Sequence, residues 1–113
     1  MYSYNVEQAR CDNHNIIAVV MNEKGLDLDG ALNWVATTYE HVLSRFQAQI
    51  RTLPSWGSDI DPGVNDFVER LCHWIRGHDC WSFESERYFG TKGLEIQKQR
   101  LMPLLPKACS PKL

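Results

Sequence analysis

The chain has 113 residues, of which 43% are hydrophobic and 23% charged, and its formal net charge is −2. This length provides one small globular domain and not two. A net charge near zero gives no reason to expect a nucleic acid or an anionic membrane as partner. No uninterrupted apolar run approaches the roughly 20 residues of a membrane span, and the N-terminus lacks the basic start and apolar core of a signal peptide. We therefore expect a cytoplasmic chain.

The first eight residues contain a candidate metal-binding pair. Ser3 and Glu7 stand four positions apart, so on a helix their side chains share one face. A hydroxyl and a carboxylate held in that way offer two oxygen ligands to a hard cation such as Mg²⁺. The spacing alone favours a simpler interpretation, a solvated helix face or a helix cap.

Helical periodicity dominates the next fifty residues. After a polar break at residues 11–15 with N-cap candidates, an apolar run and Gly25 predict a helix with a glycine C-cap. Asp27 or Asp29 should cap the clearest helix, which should end before Pro54. Its apolar residues recur at spacings of three and four: Leu32, Val35, Tyr39, Val42, Leu43, Phe46, Ile50 and Leu53.

A further helix begins after a turn, with Asp61 as predicted N-cap and Pro62 at the first helical position. It should end within residues 77–80, and residues 81–90 break the periodicity. The proline-rich tail, residues 101–113, should be irregular. No strand-type alternation persists, so the predicted fold class is all-α.

The cysteines of the chain contain no Cys-x-x-Cys pair, which in an intracellular protein predicts free thiols. They are Cys11, Cys72, Cys80 and Cys109. Together with nearby histidines they suggest a zinc site as a minor alternative. Its spacing departs from that of structural zinc sites, and the adjacent Cys72 and His73 would point in different directions on a helix.

A second candidate site lies in the segment Trp-Ser-Phe-Glu-Ser-Glu-Arg-Tyr-Phe-Gly, residues 81–90. Arg87 supplies a planar fork of donors suited to phosphate oxygens, and Tyr88 adds a hydroxyl donor. Such groups on a loop can become ordered when they close over an anion. From spacing alone, a surface arginine paired with Glu84 or Glu86 is the favoured interpretation.

Both segments resemble class I terpene synthases, particularly the fungal sesquiterpene synthases. Tyr-Ser-Tyr-Asn-Val-Glu-Gln resembles their second metal-binding motif, Asn-Asp-x-x-Ser-x-x-x-Glu, with Ser3 and Glu7 on its Ser and Glu. The motif's Asn would precede Met1, and Val6 stands where many members carry a Lys that reaches the diphosphate.

The resemblance extends over nearly the whole chain. The family's diphosphate-binding Arg-Tyr pair falls on Arg87 and Tyr88. The intervening segments at residues 14–17, 21–23 and 53–57, and the Leu-Leu-Pro-Lys tail, are similar as well.

The resemblance implies the C-terminal helices of an all-α bundle around an apolar cavity. Mg²⁺ ions and basic donors there draw electron density onto the diphosphate of a prenyl diphosphate, with farnesyl diphosphate as the expected substrate. The diphosphate leaves, and the allylic cation cyclises in a pocket from which water is excluded. Ser3 and Glu7 would be metal ligands, and Arg87 and Tyr88 would hold the diphosphate.

The family's aspartate-rich first motif has no counterpart, since the Asp-x-Asp pairs at residues 27–29 and 59–61 flank turns and are interpreted as helix caps. We therefore expect residues 1–113 to be part of a terpene synthase domain that alone turns over no prenyl diphosphate. Its exposed apolar helix faces would favour self-association. The alternative is a non-catalytic helical remnant that binds a protein partner through the stripe at residues 32–53 or 64–75.

Overall fold

The computed structural model describes residues 2–108, and this part of the chain forms five α-helices, one 3-10 turn and no strand. The predicted all-α fold class is confirmed. The elements are α1 (Tyr4–Ala9), α2 (Ile16–Lys24), α3 (Leu28–Arg51), α4 (Asp61–Glu84), the 3-10 turn (Gly90–Lys92) and α5 (Gly93–Gln99). No helix of this part is long and apolar enough to cross a membrane.

The ends of α2 and the start of α3 follow the predicted capping residues. The Asn15 side chain accepts a hydrogen bond from the Ile17 N–H, 2.9 Å away, and so caps α2. Gly25 ends this helix in the left-handed conformation, with φ of 62°, which glycine adopts without steric cost. Asp27 caps α3 by accepting from the Gly30 N–H at 2.8 Å.

The small core lies where α2 packs against the first turns of α3. Ile17, Val20 and Ala31 are the buried apolar residues of the described part. The radius of gyration is 18.7 Å, whereas a compact domain of this length has a radius of about 13 Å. Large apolar side chains accordingly stay exposed on α3 and α4, including Trp74 at 75% and Phe67 at 62%. These helix faces are uncovered.

The start of α4 corrects one prediction. Asp61 is the first helical residue and not the N-cap; Ile60 precedes it and forms no side-chain cap. The Asp61 carboxylate instead accepts hydrogen bonds from the Ser55 hydroxyl at 2.6 Å and the Trp56 N–H at 2.7 Å. These bonds lower the pKa of Asp61. The carboxylate therefore stabilises the preceding turn and not the helix.

The predicted end of α4 is also wrong: the helix continues to Glu84 and does not stop within residues 77–80. Its last turn packs against the start of α5. A Cβ at Gly93 would collide with the carbonyl oxygen of Phe83, so only glycine permits this approach. The contact is tertiary and does not show in the periodicity of the sequence.

The expectation of four free thiols is wrong for Cys11, which is disulfide-bonded. The end of α1 meets the tail here: the Ala108 N–H donates to the Ala9 carbonyl at 2.8 Å. Spacing along the sequence could not reveal this return of the chain. Cys72 and Cys80 are free thiols, and Cys109 lies outside the described residues.

Candidate metal and diphosphate site

Ser3 and Glu7 lie one turn apart at the start of α1, as their spacing predicts. Ser3 has helical backbone angles, and its carbonyl accepts the Glu7 N–H at 3.0 Å. The two side chains converge on one atom, Nδ2 of Asn15. This amide nitrogen donates to Ser3 Oγ at 3.1 Å and to Glu7 Oε2 at 2.6 Å. The hydroxyl and the carboxylate therefore face the same small volume.

This donor set fits Mg²⁺. The ion takes oxygen ligands, often only one or two from protein carboxylates, and keeps water and substrate phosphate in its other positions. Ser3 and Glu7 supply two such oxygens on one helix face. No group of ligands for the zinc alternative is found, because among the described residues no three His, Cys, Asp or Glu side chains come together where they could hold a metal ion.

α1 has six residues, too few for a helix that is stable by itself. On the face opposite the ligand pair, the tail holds it through Asn5, which is only 4% exposed. Asn5 donates from Nδ2 to the Pro103 carbonyl at 3.0 Å and accepts the Leu105 N–H at 2.8 Å. Gln8 adds a bond to the Leu105 carbonyl, also at 2.8 Å. The tail thus holds α1 from the side away from Ser3 and Glu7.

Tyr2 fixes the start of α1 to α4. Its hydroxyl donates to Asp79 Oδ1 at 2.6 Å. Its ring meets Phe83 and Phe89 edge-on, with centroid distances of 5.0 and 5.8 Å. Burial and, next, the hydrogen bond to the Asp79 carboxylate raise the pKa of Tyr2 to about 12, because both disfavour the phenolate. Tyr2 therefore ties the segment before Ser3 to the end of α4.

Arg87 and Tyr88 follow α4 in a short loop, where Glu86 adopts the left-handed conformation with φ of 58°. Arg87 is exposed, and its Cζ lies 5.8 Å from the centre of the Tyr88 ring. The ion pairs found among residues 2–108 do not include Arg87. Spacing alone favoured an ion pair of Arg87 with Glu84 or Glu86, and the structure has neither pair. The guanidinium is therefore available to an anion.

The two candidate segments meet through aromatic side chains and not through their polar groups. The aromatic cluster comprises Tyr2, Trp81, Phe83, Tyr88 and Phe89. Within the described part, no hydrogen bond or ion pair joins Arg87 or Tyr88 to Ser3 or Glu7. Tyr88 lines a cavity of about 320 Å³ together with Asn5, on the tail side of α1. The structure thus joins the two candidate segments by an apolar contact.

The contacts that hold the two candidate segments in place were not predicted from the sequence. Asn15 was only one of several cap candidates in the polar break, and nothing signalled that its amide reaches Ser3 and Glu7. Tyr2 and Asp79, 77 positions apart, gave no local signal at all.

Comparison with known proteins shows which family this chain resembles. Residues 1–45, which contain α1 with the candidate pair Ser3 and Glu7, match the family described as "Terpene synthase family 2, C-terminal metal binding". The relatives described below match nearly the whole chain. The chain is therefore similar to terpene synthases over nearly its whole length, as the motifs predict.

The relatives are fungal sesquiterpene synthases. The chain is 47% identical over 107 residues to Delta(6)-protoilludene synthase 8 of Postia placenta, an alignment that covers 95% of the chain and 31% of the relative. It is 49% identical over 107 residues to Sesquiterpene synthase 1 of the same fungus, covering 95% and 32%. With Delta(6)-protoilludene synthase of Armillaria ostoyae it shares 46% over 112 residues, covering 98% and 33%. The chain thus spans about a third of the length of these relatives.

Proposed function

We propose that this chain supplies the second metal-binding motif and the diphosphate-binding Arg-Tyr pair of a sesquiterpene synthase. Such an enzyme ionises and cyclises a prenyl diphosphate, here farnesyl diphosphate, with Mg²⁺. The observation that carries the proposal is that Ser3 Oγ and Glu7 Oε2 lie on one face of α1, close enough to accept hydrogen bonds from the same nitrogen, Nδ2 of Asn15. Two hard oxygen ligands in that arrangement suit a magnesium ion that also binds phosphate.

The residues of the chain would act on the diphosphate end of the substrate. Ser3 and Glu7 would hold one Mg²⁺, and the ion when bound supplies Lewis-acid stabilisation of the leaving diphosphate. Arg87 would donate its planar N–H groups to phosphate oxygens, and its exposed position leaves them accessible. Tyr88 would add a hydroxyl donor. No residue is assigned as a general base.

The remainder of the active site would come from polypeptide outside this sequence. The Asn of the second motif, the aspartate-rich motif and most of the apolar cavity have no counterpart among these residues. Two observations support this view: the relatives are about three times longer, and α3 and α4 leave large apolar side chains uncovered. We therefore expect the chain alone to turn over no prenyl diphosphate, and we retain a cytoplasmic location as a prediction.

Binding of inorganic pyrophosphate, measured by isothermal titration calorimetry with and without Mg²⁺, tests the proposal. The wild-type chain should bind pyrophosphate only when Mg²⁺ is present. Glu7→Gln and Arg87→Ala should each weaken binding about tenfold or more, since a hydrogen bond with a charged group contributes about 1.5–3 kcal/mol. Arg70→Ala is the matched control, because Arg70 is an exposed arginine of α4 that pairs with Asp66.

An absence of Mg²⁺-dependent binding would contradict the proposal, as would equal effects of Arg87→Ala and Arg70→Ala. That result would favour the second candidate, a helical module that binds a protein partner. The exposed apolar residues of α3 and α4 are the observation that supports this alternative.

A further inference from the structure

Asn15 is the one residue of the described part that contacts both oxygens of the candidate metal site. Its side chain is nearly buried, with 7% of the residue exposed, and lies at the N-terminus of α2. We infer that Asn15 is a positioning residue that holds Ser3 and Glu7 in the arrangement needed for metal binding. The inference rests on the proposed function, because it assigns a support to the same site.

The cap of α2 fixes which end of the Asn15 amide faces the site. Oδ1 accepts the Ile17 N–H at 2.9 Å, and only an oxygen can fill that role. The NH₂ group must therefore face Ser3 and Glu7, and as a donor it matches the hydroxyl oxygen and the carboxylate. The orientation follows from the hydrogen bonds and does not depend on telling nitrogen from oxygen.

The contacts of Asn15 leave ligand capacity for a metal. A carboxylate has two oxygens and about four acceptor positions, and a hydroxyl oxygen has two lone pairs. Asn15 uses Oε2 of Glu7 and one acceptor position of Ser3 Oγ, so that Oε1 and further lone pairs remain. Hydrogen bonds of this kind orient the direct ligands of a metal, and their removal typically lowers metal affinity 10- to 100-fold.

Asn15 is also suited to this task because α1 is short. The other bonds that hold α1 join Tyr2 to Asp79, and join Asn5, Gln8 and Ala9 to the tail. None of them involves the side-chain oxygens of Ser3 or Glu7. Asn15 therefore links the ligand face itself to α2, which contributes two of the buried apolar residues of the core.

The variant Asn15→Ser separates this role from helix capping. Serine is as good an N-cap as asparagine, but its single hydroxyl cannot cap α2 and also donate to both ligands. Asn15→Ser should therefore keep the Ile17 N–H as protected from hydrogen exchange as in the wild type, because the cap remains, while its Mg²⁺-dependent pyrophosphate affinity falls about tenfold. The matched control is Asp27→Ala, which removes the cap of α3 and should lower the unfolding temperature without changing the affinity.

A second readout uses the metal-free chain. In ¹⁵N-resolved NMR spectra, Glu7→Ala should shift the side-chain NH₂ signals of Asn15, because it removes their acceptor at 2.6 Å. The backbone N–H signal of Ile17, which reports the cap, should move little.

Each outcome decides between the two proposals. Equal affinities of wild type and Asn15→Ser would overturn the role of Asn15 and leave the proposed function standing. Asn15 NH₂ signals that do not respond to Glu7→Ala would overturn the inference as well. Absence of Mg²⁺-dependent binding in the wild type would overturn the proposed function, and the metal role of Asn15 with it.

Discussion

Replacing Tyr2 by Phe removes one hydroxyl group and leaves the ring in contact with Phe83 and Phe89. The lost bond, from the hydroxyl to Asp79 Oδ1, is 2.6 Å long and has a carboxylate as acceptor. Bonds with charged groups contribute about 1.5–3 kcal/mol, and partial exposure of Tyr2 places this one near 1.5 kcal/mol. Since 1.4 kcal/mol is a factor of ten, the equilibrium for detachment of α1 from α4 should rise about tenfold.

Amide hydrogen exchange of the α1 N–H groups measures this equilibrium directly. Tyr2→Phe and Asp79→Ala should each accelerate exchange about tenfold, and the double variant should add little, because both remove the same bond. Arg76→Ala is the control. Arg76 also bonds to Asp79, at 3.2 Å, but as an exposed pair it contributes at most about 1 kcal/mol. Additive effects of the two main variants, or unchanged exchange in Tyr2→Phe, would refute the reasoning.

Three further predictions follow from the contacts of α1 and the exposed faces. The raised pKa of Tyr2 means that folding favours its neutral phenol. The contribution of Tyr2 to stability should therefore be complete below pH 10 and lost as pH rises through about 12. Tyrosinate absorbance should show one tyrosine that titrates later than the others, and Tyr2→Phe should remove it. Asn5→Ala should speed amide exchange at Leu105 about tenfold, because it removes Asn5 Oδ1, the buried acceptor of the Leu105 N–H. Unchanged exchange would show that this hydrogen bond does not hold the tail on α1. Trp74→Glu should reduce self-association in sedimentation velocity, since it charges a side chain that is 75% exposed, whereas an unchanged oligomer distribution would exclude this face.

Local chemistry made much of the fold predictable. The helix ends at Asn15, Gly25 and Asp27 could be predicted because each depends on hydrogen bonds or backbone angles within a few residues. The residue types alone therefore indicate them. Asp61 was misassigned because it meets a turn through Ser55, an interaction that competes with capping and uses the same residue type. The last turn of α4 and the start of α5, which were not predicted, meet where Gly93 approaches Phe83, and this contact is tertiary.

The candidate site was predictable in its direct residues and not in its supports. Helical spacing alone places Ser3 and Glu7 on one face, and the structure has that geometry. The second contact of Asn15 depends on how residues 10–14 turn the chain back, which has no periodic signature. The anchoring of α1 by Asp79 likewise joins residues far apart in sequence.

The most direct test of the central claim is a chimera in which this chain replaces the aligned segment of Delta(6)-protoilludene synthase 8, to which it is 47% identical. Products formed from farnesyl diphosphate and Mg²⁺ would be measured by gas chromatography with mass spectrometry. We predict that the chimera forms a sesquiterpene and that Glu7→Gln within it abolishes product while Arg70→Ala does not. A folded chimera without product, or one whose activity survives Glu7→Gln, would contradict the assignment of this chain as the metal- and diphosphate-binding part of a terpene synthase.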